Sequence, residues 1–70
     1  MNKKIYIDGM SCGHCVSHVK EALLDIGAIK VKVDLEEKFA VAEFEDEVND
    51  NEITDAIEDV GYEVSEIEEL

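Results

Sequence analysis

Asp25-Ile26-Gly27-Ala28-Ile29-Lys30-Val31 is echoed later in the chain by Asp59-Val60-Gly61-Tyr62-Glu63-Val64. Each stretch reads as the end of a helix, a glycine that stops it and the opening of a strand, because glycine enters the left-handed conformation of a helix C-terminus without a Cβ penalty. Upstream of the first copy, Cys15, Val16, Val19, Ala22, Leu23 and Ile26 form an apolar stripe at helical spacing, starting from His14. Before that helix, Lys3 to Asp8 alternates, with Ile5 and Ile7 on one side and Lys4, Tyr6 and Asp8 on the other, the period of a half-buried strand. A turn from Gly9 to Gly13 separates the two. Downstream, Ile29, Val31, Val33 and Leu35 alternate with Lys30, Lys32 and Asp34, Glu36-Glu37-Lys38 reads as a hairpin link, and Phe39 to Phe44 reads as a third strand. Asn49 with Glu52 three residues on looks like a cap opening a second helix, whose stripe is Ile53, Ala56, Ile57 and Val60. After Gly61, the segment Tyr62 to Ile67 is β-rich.

The order βαββαβ in two matching halves predicts an α+β fold, a ferredoxin-like sandwich with two helices on one face of a four-stranded antiparallel sheet. Its expected core is Ile5, Ile7, Val19, Leu23, Ile26, Val31, Val33, Ala42, Phe44, Ile53, Ile57 and Val64. That topology gathers three loops at one end: Gly9 to Gly13, the Glu36 to Lys38 hairpin and the turn at Gly61-Tyr62. The open sheet face is expected to bring Tyr6, Phe39 and Val41 side by side, as isolated surface residues or as a contact surface for another chain.

Seventy residues, 46% of them hydrophobic, suffice for one domain over residues 1–70 and leave no room for a second core. All six lysines lie at or before Lys38, and Phe39 onward carries only acids, within a net charge of −13. Binding to nucleic acid or to anionic lipid is therefore disfavoured. No stretch approaches about 18 consecutive apolar residues, so no membrane insertion is expected. Met1-Asn2-Lys3-Lys4 lacks the apolar run of a signal peptide, which places the chain in the cytoplasm. Met1 as a start and Leu70 as an end suggest a free-standing protein.

In a reducing compartment, cysteines three positions apart suit a metal or redox site better than a structural disulfide. Cys12 falls in the loop and Cys15 in the first helical turn, so both sulfurs can converge where unpaired amides and the helix dipole favour thiolates. Copper(I) accepts two thiolates without further ligands, whereas a closed structural zinc site takes four, and this chain has only two cysteines. His14 and His18 would favour zinc if they joined the site; both are read as exposed and stay outside the ligand set. The pair alone also fits half a zinc site or a dithiol redox centre.

Gly9-Met10-Ser11-Cys12-Gly13-His14-Cys15, between a first strand and a first helix, resembles the metal loop of the heavy-metal-associated domain family, and within it the free-standing bacterial copper(I) chaperones. The resemblance runs from Ile5 through Ile67 and includes Ala56-Ile57-Glu58-Asp59-Val60-Gly61-Tyr62. It implies that Cys12 and Cys15 are the metal ligands, that Met10 anchors the loop from beneath and that Tyr62 lies near the metal. It implies a non-catalytic carrier, monomeric without metal and open to metal-linked dimerisation. The cargo, Cu(I), would pass by thiolate exchange to the metal-binding domain of a copper-transporting P-type ATPase, with a copper-responsive repressor as a second recipient. Alternatives within the same fold are a binder of zinc, mercury or another soft metal, or an excised transporter domain. Cys12-Gly13-His14-Cys15 also spells the active site of dithiol-disulfide oxidoreductases, but the tryptophan and proline that flank such sites are absent.

Overall fold

A computed structural model describes residues 1–10 and 13–70 of the chain. The elements follow in the order β1 (Asn2–Asp8), α1 (Gly13–Asp25), β2 (Ala28–Asp34), β3 (Phe39–Phe44), α2 (Asp50–Asp59) and β4 (Glu63–Glu69). The strands form one sheet in the order β2-β3-β1-β4, antiparallel at each pairing, and both helices join the core on one of its faces. This is the ferredoxin-like architecture expected from the two half-chain echoes.

β1 sits in the middle because both its neighbours bond to it along its length. The Met1 amino group donates to the Phe44 carbonyl at 2.7 Å, the Phe44 amide to the Met1 carbonyl at 2.7 Å, and the Leu70 amide to the Asn2 carbonyl at 2.9 Å. Its alternation sends Lys3, Ile5 and Ile7 inward. Lys3 is thereby carried to the edge of an apolar core, where a bare ammonium would be costly. The first residue of α2 answers it: Lys3 Nζ lies 3.0 Å from Asp50 Oδ1.

The buried core contains Ile5, Ile7, Val19, Leu23, Ala42, Phe44, Ile53 and Ile57 as expected, joined by Met10, Cys15, Ala22, Ala28 and Ala40. Ile26, Val31, Val33 and Val64 pack against it while remaining partly exposed. For the three valines the reason is position, since β2 and β4 are the sheet edges and are covered from one side less completely.

Two irregularities depart from simple alternation. The register slips between Ala28 and Lys30, so Ala28 is buried and Ile29 is 54% exposed, against its expected place in an inward row. Leu35, expected to close that row, lies in the turn. In β4, Val64 and Ile67 both face the core although three positions apart, because the pairing with β1 passes from Tyr6↔Glu66 to Ile7↔Val64 and leaves Ser65 as the extra residue. A bulge of this kind inserts one residue and restores the inward face beyond it. Ser65 Oγ donates to the Tyr6 carbonyl at 3.4 Å.

Both helices end on glycines with positive φ, 109° at Gly27 and 96° at Gly61. At α2 the Gly61 amide donates to the Glu58 carbonyl at 3.0 Å and the Tyr62 amide to the Ile57 carbonyl at 3.3 Å. This is the Schellman pattern, which satisfies carbonyls the helix leaves open and turns the chain sharply. Its consequence is the placement of Tyr62.

Candidate metal-binding end

The end of the sheet where β1 finishes gathers the three loops expected there. Lys38 occupies the left-handed region at φ 61° and its carbonyl accepts from the Ile7 amide at 2.9 Å, which ties the β2-β3 hairpin to the last turn of β1. The Glu37 amide donates to Asp34 Oδ1 at 3.0 Å and tightens the same hairpin. On the other side β4 starts opposite Asp8, so Tyr62 arrives next to the loop that follows β1. A Cβ placed on Gly9 would lie 3.6 Å from Tyr62 Cδ1, ordinary van der Waals contact, so the tyrosine ring flanks the start of the loop.

Met10 is 1% exposed and belongs to the core cluster, so its side chain fixes the loop from below. Cys15 is the third residue of α1, 8% exposed, and packs on the same cluster. The first turn of α1 carries no acidic side chain of its own, and the positive end of a helix favours an anionic ligand atom. Among the described residues nothing lies within 4 Å of a notional Cβ at Gly13. His14 and His18 are exposed, as expected. Cys12 lies outside the described residues, and with it the separation of the two sulfurs.

Among the described residues, then, one end of the sheet assembles Cys15, Met10 and Tyr62, three of the four residues given roles at the site. Among those residues no group of three or more His, Cys, Asp and Glu side chains comes together. On the open sheet face, Tyr6 and Phe39 meet edge to face at 6.2 Å between centroids. Lys4 Nζ stands 4.3 Å from the Phe39 ring centre and 5.1 Å from that of Tyr6. Lys4, which the alternation pattern puts on the same side of β1 as Tyr6, thus lies over the aromatic pair.

These features define a small α+β domain with a cysteine at the mouth of its first helix, and the chain belongs to the heavy-metal-associated domain family, whose sequence profile matches residues 4–63. It is 39% identical over 69 residues to the copper chaperone CopZ of Enterococcus hirae, covering 96% of this chain and all of that protein. It is 38% identical to a mercuric reductase of Lysinibacillus sphaericus, where it covers its own full length but spans only 13% of the enzyme. Among solved structures, a copper binding domain from HMA7, a P-type ATPase, superposes with a TM-score of 0.85 at 33% identity, covering 99% of this chain and 96% of that one. No helix among the described residues is long and apolar enough to cross a membrane.

Proposed function

We propose that residues 1–70 act as one cytoplasmic carrier domain that holds Cu(I) between the thiolates of Cys12 and Cys15 and passes it to a metal-binding domain of a copper-transporting P-type ATPase. The observation that carries this reading is the seat of Cys15 in the first turn of α1, in the buried cluster that also holds Met10 and against which Tyr62 packs. The positive end of a helix favours negative charge on sulfur, and a soft monovalent ion is satisfied by two such ligands. The likeness to a copper chaperone and to a copper-ATPase domain supports the choice of ion and of recipient.

Transfer by this route is ligand exchange without redox change. An incoming thiolate of the recipient adds to the bound ion, one of the two carrier thiolates leaves, and a second exchange completes the transfer. Proximity of the two sites is the main requirement. A copper-responsive repressor would be served by the same chemistry. The carrier is monomeric without metal, and a shared ion would link two copies through the same loop.

A second reading follows from the mercuric reductase relative: the same loop would hold Hg(II), which also takes two thiolates. Mixing the Cu(I)-loaded chain with an apo ATPase metal-binding domain and following copper through a sizing column tests the transfer step. The copper reading expects copper to appear in the ATPase domain within the mixing time, and to stay with the carrier when the recipient's cysteines are changed to serine. Copper retained by the carrier in both mixtures would refute the transfer step.

A further inference from the structure

α1 carries a second constellation that the thiolate site does not use. The helix is continuous from Gly13 to Asp25 and buries Cys15, Val19, Ala22 and Leu23. His14 and His18 are both exposed, and four residues apart they stand one above the other on the solvent side. Their Cβ atoms are then about 5–6 Å apart, the reach at which two imidazoles can bind one ion. No hydrogen bond or ion pair among the described residues engages either ring. Glu21, also exposed, follows His18 by three positions and adds negative charge to the same flank. The net charge of −13 further raises the local concentration of cations.

We propose that His14 and His18 form a separate surface site for a borderline divalent transition ion of the zinc, nickel or copper(II) type. Imidazole nitrogens suit such ions, whereas two thiolates select a soft one, so the two sites are sorted by the chemistry of their donors. Among the described residues no third His, Cys, Asp or Glu joins the pair, so water fills the remaining positions and the ion exchanges readily. An ion bridging the two rings clasps the first turn of α1 to the second and stabilises the helix start by mass action. The inference stands independently of the copper reading.

The test uses the full chain carrying Cys12→Ser and Cys15→Ser, in which no thiolate remains, titrated with Zn(II) while imidazole resonances are followed by NMR. The expected result is saturable binding of a single ion, with the resonances of His14 and His18 moving together and the thermal midpoint rising as the ion is added. Replacing either histidine by alanine should weaken binding by at least about tenfold, and replacing both should weaken it little further, because one ring alone cannot chelate. Binding as tight after both replacements as before them, shifts confined to carboxylates such as those of Asp55 and Asp59, or the absence of saturable binding would each overturn the proposal. Copper(I) binding by the unaltered chain is read separately, so the two accounts fail independently.

Discussion

Lys3 shows how a single residue can be both demanded and endangered by its pattern. The strand period places it on the inward side, and Asp50 makes that placement tolerable. The hydrogen bond that Lys3 donates to Asp50, aided by the charge of Asp50 and by those of Glu69 and Glu47, raises the Lys3 pKa above its ordinary value of 10.5 despite the opposing effect of burial. A raised pKa in the folded state means that the pair contributes fully below the unfolded pKa, and that its contribution is lost as pH climbs through the higher folded value. Stability should therefore fall on the alkaline side, above pH 10.5, and Asp50→Asn should flatten that decline while costing at most about 1 kcal/mol at neutral pH, since Asp50 is largely exposed. Urea unfolding at pH 7 and pH 11 checks both. The partner was not legible in the sequence, because Asp50 is far from Lys3 along the chain and only the packing of α2 brings it near. The position of Cys15 in the first turn of α1, in contrast, is legible in the sequence, since a helix start is a local signal.

At the scale of elements, the glycine that ends α2 does more than stop a helix. With φ at 96° and nothing among the described residues within 4 Å of a notional Cβ, the penalty of a side chain at Gly61 is conformational. Gly61→Ala should destabilise the fold by about 1–2 kcal/mol in urea unfolding and should shift Tyr62 away from the Gly9 loop, visible as altered contacts between these residues by NMR. An equally stable protein with an unmoved Tyr62 would show that the Schellman turn is not what positions the ring. Both helices and their ends were legible, because 3.6-residue periodicity and stop glycines are read within a few residues. The strands were legible in position but not in detail. Ile29 and Ser65 mark bulges, and an uninterrupted two-residue period cannot anticipate an extra residue whose only cause is the register of a distant partner strand. The expected core omits two small residues: Ala28, which the register slip turns inward, and Ala40, which is in phase with Ala42 and Phe44 and pairs with Ile5 and Val33.

For the whole molecule, charge is the dominant feature. Every residue carrying charge in α2 and β4 is acidic, and none of the six lysines lies beyond Lys38. Copies repel one another, and the carboxylates of one copy repel each other as well. Added salt shortens the Debye length from about 30 Å at about 10 mM to well under 10 Å at about 500 mM and screens that repulsion, so the urea midpoint should rise between those two sodium chloride concentrations, and a midpoint that falls would point to attractive pairs as the larger contribution.

The account rests on two sulfurs around one ion, and copper K-edge X-ray absorption on the Cu(I)-loaded chain tests this most directly. The prediction is a first shell of two sulfur scatterers with no nitrogen, lost when Cys12 and Cys15 are both replaced by serine. A shell containing imidazole nitrogen, or copper retained unchanged by the serine variant, would contradict it.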